Sequence, residues 1–179
     1  MIVRTAKIWI LLPFVLLAGC TSSSILRSQP MGLSYNQKVL VVPFLNNSDT
    51  PAAGEKAANL VAGILRAEGM WHVTVYQSKQ NCDPINFCQN QGMSLDKMYA
   101  YAAQNTFRYV VTGTVNEWRY KIGLDGEPSV GMTMSIKDGL SDVGMWSAVG
   151  SKTGHSWNGV SETAQDLFQK ALSNVAIQP

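Results

Sequence analysis

The run Lys38-Val39-Leu40-Val41-Val42-Pro43-Phe44 constrains this chain more than any other segment. Consecutive apolar residues with no polar alternation fit a strand buried on both faces, so its sheet must carry layers on either side. Turn formers Asn46, Asn47, Ser48, Asp49 and Pro51 close the run. From about Ala52 the period changes, and Ala57, Leu60, Val61, Ile64 and Leu65 stripe a helix that ends near Gly69. Trp71 to Tyr76 alternates and is rich in β-branched and aromatic residues, which predicts a second strand.

Further on, Ser94 is placed as an N-cap with Asp96 in the first turn of a helix reaching about Asn105. Arg108 to Lys121 is the longest strand candidate, broken by the turn Gly123-Leu124-Asp125-Gly126-Glu127-Pro128. Val130, Met132, Met134 and Ile136 alternate with small or polar residues, as a half-buried strand requires. Asp138-Gly139 marks a hairpin turn before a strand over Val143 to Val149. A last helix is predicted after Gly159, with Ser161 as N-cap and Ala164, Leu167, Phe168, Ala171, Leu172 and Val175 on its buried face. The expected fold is a single layered α/β domain over residues 37–179, a mixed β-sheet with packed helices in the order β-α-β-α-β-β-β-α.

Residues 1–19 have the form of a secretory leader. Arg4 and Lys7 precede an apolar stretch from Ile8 to Leu17, and small residues Ala18 and Gly19 lead to Cys20. That stretch falls short of the about 20 residues a permanent membrane helix needs. Leu17-Ala18-Gly19-Cys20 resembles the bacterial lipobox, in which the Cys becomes the acylated first residue. Thr21, not Asp, follows it, which places the protein on the periplasmic face of an outer membrane, anchored by lipid. Residues 20–36 are polar and unpatterned and are read as the lipidated N-terminus and a flexible tether.

With Cys20 acylated, Cys82 and Cys88 remain, an even pair in an oxidising compartment, which argues for a structural disulfide. A metal site is the rival reading, but His72 and His155 lie elsewhere in the chain. The 179 residues carry 14 Lys+Arg against 12 Asp+Glu, and loss of Arg4 and Lys7 leaves the mature chain neutral. This gives no electrostatic case for nucleic-acid binding. No phosphate-binding glycine loop is present. Gly154-His155-Ser156-Trp157-Asn158-Gly159 is one residue too long for a nucleophile elbow, and no His follows Ser156 to serve as base. Asp125 and Glu127 share one tight turn, whereas catalytic carboxylate pairs face each other across a cleft. A non-enzymatic protein without a cofactor is therefore expected. Trp157 sits in a Gly/Ser/Asn loop; ordinary packing and insertion at a membrane interface, where Trp is favoured, are the two readings for it.

Two resemblances follow from these segments. KVLVVPFLNNSDT with its helix and strand looks like the N-terminal domain of TolB and its relatives, including synthase activators and the curli secretion lipoprotein CsgG. GTVNEWRYKIGLDGEPSVGMTMSI, then VGMWSAVGSKTGHSW and a terminal helix, resembles the PelC family, outer-membrane lipoproteins of the Pel exopolysaccharide export system. That resemblance implies a homo-oligomeric ring, a dodecamer, working with a PelB-like outer-membrane β-barrel porin and its periplasmic repeats. The cargo it implies is a cationic exopolysaccharide, guided by summed weak fields of funnel carboxylates. Carried over by position, Asp125 is the funnel carboxylate, Glu127 a weaker one, and Trp157 the membrane-facing aromatic. Arg108 would hold a subunit contact or an internal ion pair. The rival readings are a TolB-like activator of a cell-wall synthase and a CsgG-like secretion channel subunit.

Overall fold

The protein is described by a computed structural model covering residues 22–77, 95–122 and 126–179. The leader with Cys20, the Cys82–Cys88 segment, Ser94 and Asp125 lie outside the described residues. In chain order the elements are β1 (Ser23–Arg27), β2 (Met31–Ser34), β3 (Lys38–Val41), β4 (Leu45–Asn46), α1 (Ala53–Ala67) and β5 (His72–Val75). They continue with α2 (Leu95–Gln104), β6 (Tyr109–Tyr120), β7 (Pro128–Asp138), β8 (Gly144–Thr153), α3 (Val160–Leu172) and β9 (Val175–Gln178).

The main sheet runs β1-β8-β7-β6-β3-β5, with β4 also pairing β6. β3 is parallel to both β5 and β6, whereas β6, β7, β8 and β1 follow one another antiparallel. The sheet is mixed, as the sequence predicts, and β3 lies inside it with both faces covered. Val39 and Val41 face α1 and α3, while Leu40 and Val42 face α2 with Met98, Ala102 and Phe107. The large core on the α1/α3 side takes every second residue of β7, namely Val130, Met132, Met134 and Ile136.

Phe44 joins the layers just beyond β3. Its ring meets that of Phe168 edge-on at 5.8 Å, and its N–H donates to the Gly54 carbonyl at 3.2 Å. Gly54 is buried in the first turn of α1, where an added Cβ would lie 1.9 Å from the Phe44 carbonyl oxygen. The helix start can approach the strand end this closely only because that residue has no side chain.

Residues 20–36 are not a free tether once Ser22 is passed. β1 pairs antiparallel with β8, and β2 pairs parallel with β9 in a second, two-stranded sheet. Arg27 donates to the Lys170 carbonyl near the end of α3 at 2.8 Å, and Leu33 is wholly buried. Backbone pairing and scattered anchors hold this segment, which is why it shows no hydrophobic period. β4 and β9 likewise add strands to the expected order. β8 runs to Thr153, past the expected end at Val149. α3 is capped at Gly159, not Ser161: the Gly159 N–H donates to the Glu162 carboxylate, and its carbonyl accepts from Thr163.

Gly54 and Gly63 give an internally controlled test of this packing. Gly54→Ala should destabilise by about 1–3 kcal/mol through overpacking. Gly63→Ala meets nothing within 4 Å and should stabilise α1 by about 0.5–1 kcal/mol. Urea unfolding midpoints followed by circular dichroism check both, and equal shifts would contradict the close approach at Phe44.

Candidate functional site

Register places the sequence-singled residues at two opposite ends of the long strands. Tyr120 pairs with Pro128, and Ser129 with Thr153, so the end of β6, the start of β7 and the end of β8 share one edge. The 154–159 loop leaves that edge. Asn158 shapes it, accepting the His155 N–H on its side-chain oxygen at 2.9 Å and donating its own N–H back to the His155 carbonyl at 2.9 Å. Trp157 projects from the loop, exposed, and stacks on His155 at 4.4 Å with 11° between the rings. The Tyr120 hydroxyl donates to the Asn158 carbonyl at 3.3 Å. Glu127 lies at the same end with an exposed side chain, and its carbonyl accepts the Lys121 N–H at 2.7 Å.

Arg108 lies at the other end, on the order of 36 Å away by the rise of β6. Its guanidinium forms an ion pair with Asp138 and stands 6.0 Å from the Tyr109 ring centre. Asp138 ends β7, and its second carboxylate oxygen accepts the N–H groups of Leu140 at 2.9 Å and Ser141 at 3.0 Å. One carboxylate thus ties the β7–β8 turn to the start of β6. The Leu140 N–H holds the Asp138 pKa below its ordinary value; the Ser141 N–H and Arg108 add to this, against the opposing effect of burial.

Between the two ends, the sheet face away from α1 and α3 is open beyond α2. A groove of about 690 Å³ crosses it, lined among others by Leu26, Asp49, Asn116, Glu117, Arg119 and Val149. Glu117 accepts the Ser129 hydroxyl at 2.7 Å and pairs with Arg119 at 3.1 Å. The Ser129 bond lowers the Glu117 pKa, with Arg119 assisting and burial opposing. Asn116 and Glu117 occupy a break in the β6–β7 register after Val115. Sequence reasoning passed over this groove, yet a signal exists: Val115 and Trp118, both buried, stand three apart in a strand of period two. Among the described residues no group of three or more His, Cys, Asp or Glu side chains could hold a metal. None of the described helices is long and apolar enough to cross a membrane.

No family model and no curated protein matches the chain. Solved structures do. A PelC dodecamer from Paraburkholderia phytofirmans is 33% identical, with a TM-score of 0.73, covering 88% of this chain and 100% of that one. A single-substitution variant of that dodecamer gives 34% identity and a TM-score of 0.75 over the same shares. This chain belongs to the PelC family. Lipoprotein GNA1162 from Neisseria meningitidis has the same fold class, at 20% identity and a TM-score of 0.53, over 76% of this chain and 96% of that one.

Within this PelC-family fold, the sites fall into an aromatic and carboxylate end, a polar groove and an ion-paired end. Trp157 and Glu127 come together, and Arg108 is separate from them. Asp125, Cys20, Cys82 and Cys88 lie outside the described residues. Among the described residues the arrangement offers exposed aromatics, a few charges and an open sheet face.

The Asp138 contacts predict an acid-sensitive hairpin. Because the folded-state pKa is depressed below 3.8, the carboxylate's contribution is complete above that value and is lost as pH falls through the folded pKa. Asp138→Asn should lower the urea midpoint at neutral pH. The gap from the parent protein should then narrow as pH is taken below about 4. A gap that stays constant down to acid unfolding would contradict the role given to the carboxylate.

Proposed function

We propose that this chain is a lipid-anchored outer-membrane protein that assembles into a periplasmic ring and guides a cationic exopolysaccharide, Pel, toward its export pore. The observation that carries this reading is the similarity over 88% of the chain to a PelC structure that is a dodecamer. The lipobox ending in Cys20 supports the anchor. On this reading the partner is a PelB-like β-barrel porin with periplasmic repeats, and the protein has no catalytic role.

Residue roles follow the same proposal. Asp125 supplies a carboxylate to the funnel, and Glu127, exposed two residues later, adds to it. Weak, unpaired negative charges repeated around a ring concentrate a polycation without gripping it, through fields that salt screens. Trp157 faces the membrane, where an amphipathic ring is favoured. Arg108 acts inside the subunit through its pair with Asp138. Cys82 and Cys88 form a disulfide that staples their short loop.

Light scattering on the mature protein in detergent, across a range of concentrations, is the direct test. A discrete assembly many subunits in mass is expected. A monomer at every concentration would sink the ring and move the reading toward a monomeric synthase activator. Given a ring, Asp125→Asn should lower polymer export by roughly tenfold, the low end of what a charged cleft supplies. It should leave the assembly mass unchanged.

A further inference from the structure

We infer that Tyr35 and Trp71 form a stacking platform for protonated amino-sugar residues of the polymer, at the end of the sheet opposite Trp157. The inference rests on the exopolysaccharide reading and deepens it, adding a direct contact to the diffuse field of the carboxylates.

Backbone bonds build the platform. Glu68 caps α1, Gly69 turns the chain at a φ of 107°, and the buried Met70 donates its N–H back to the Leu65 carbonyl at 3.0 Å. Trp71 then leads into β5. Its N–H donates to the Tyr35 carbonyl at 3.3 Å, and the Tyr35 N–H donates to the Gln178 carbonyl at 2.9 Å. The residue after β2, the start of β5 and the end of β9 are thus tied together. The two aromatic rings meet with centres 4.5 Å apart and planes 54° to each other. Trp71 is nonetheless 68% exposed. Tyr35 supports one side of the indole, and the opposite face is open to solvent.

The chemistry around this face selects its ligand. A polysaccharide that is cationic near neutral pH carries amines on its sugar rings. Each such residue combines an apolar C–H face, a rim of hydroxyls and an ammonium group. An indole face takes the apolar side of a ring, and it is the best aromatic partner for a cation. The neighbours in sequence, Asn36, Gln37, Glu68 and His72, are all exposed and polar. Glu68 makes no ion pair among the described residues, so its charge complements an ammonium. The centre of a protein–protein contact is instead depleted of charge. The exposed aliphatic residues Leu140, Val143 and Met145 come closer to that composition.

Register fixes where the platform stands. Lys38 pairs with His72, and Val39 with Tyr109, so Trp71 lies at the Arg108 end, the length of β6 away from Tyr120. With Trp157 toward the membrane, this end faces the periplasm, from which the polymer arrives. One weak contact per subunit, repeated around an assembly, holds a chain by avidity while each contact releases easily. That combination retains a polymer without arresting its passage.

Isothermal titration calorimetry of the mature, acylated full chain in detergent tests the inference, with a β-1,4-linked glucosamine hexamer as the probe. Light scattering on the same samples reports the assembly mass. Trp71→Ala should raise the Kd about tenfold at unchanged mass, and Trp71→Phe should recover most of the affinity. Glu68→Gln should raise it about threefold for this hexamer, and less for the fully N-acetylated hexamer, which has no ammonium. Equal affinity in Trp71→Ala and the parent, or no binding by the parent, would overturn the platform. An indole at 71 shielded from acrylamide in the parent, with Trp71→Ala breaking the assembly, would assign this surface to a second copy and overturn it too. Polymer export separates the platform from the wider reading. Export kept in Trp71→Ala but lost on deletion of the chain would sink the platform alone, whereas export indifferent to deletion would sink both.

Discussion

Phe44 sits where the parallel and antiparallel parts of this fold are locked together, and most of the architecture depends on its close contacts. Its backbone bonds the first turn of α1, its ring meets Phe168 of α3, and it also abuts β6, where Gly113 leaves room for it. A Cβ at Gly113 would lie 2.6 Å from the Phe44 ring and 2.2 Å from the Thr133 carbonyl oxygen. Two residues without side chains thus let one aromatic bring two helices and two strands within packing distance. Interiors at this density transmit displacement and do not absorb it. A shift of Phe44 would therefore be felt along β6, the strand that joins the ion-paired end to the aromatic end.

The two faces of the sheet are treated differently, and the difference makes function possible. α1 and α3 seal one face with a continuous apolar layer. On the other, α2 covers β3, the start of β6 and, through Tyr99 over Lys137, the end of β7. The rest of that face carries Thr133, Ser135, Ser147 and Ser151, small hydroxyl residues that neither demand burial nor repel a neighbouring protein surface. An α/β domain closed on both faces would offer no sheet surface to a partner, whereas this one keeps an open sheet face and a groove.

Elements held by side-chain periodicity were legible in the sequence, and elements held by backbone pairing were not. β3, α1, β7 and α3 announce themselves through runs or stripes because each buries a face. β1 and β2 do not: one is an edge strand of mostly exposed residues, and the other rests on Leu33 and the parallel pairing with β9. Asn174 shows the same limit. Its side chain accepts from the Trp146 indole and donates to the Ser28 carbonyl, so it locks three distant segments, whereas the sequence pattern runs the last helix through it to Val175, a residue the structure places in β9. At the site, the loop of Gly, Ser and Asn leaves both packing and projection open for Trp157, and the structure shows it exposed. The pairing of Arg108 with Asp138 spans 30 residues, and nothing in a single sequence links two charges so far apart.

Charge placement matters because, on the lipoprotein reading, the charges from residue 20 onward balance. Four carboxylates are used internally: Asp138 with Arg108, Glu117 with Arg119, Asp142 with Lys137, and Asp166 with Lys152 and Lys170. The three one-to-one pairs are locally neutral and are felt over little more than their own length in salt, while Asp166 with two lysines is left one charge positive. Glu127 makes no ion pair among the described residues. It stands at the end of the sheet where, on the proposed reading, the membrane and the pore lie. On that reading the field around a ring is set less by the count of acids than by which of them are left unpaired near the mouth. A net charge near zero is then compatible with an acidic funnel only through placement, and Lys121, whose ammonium is bonded to the Thr153 hydroxyl at the same end, is the cation that most directly offsets Glu127 there.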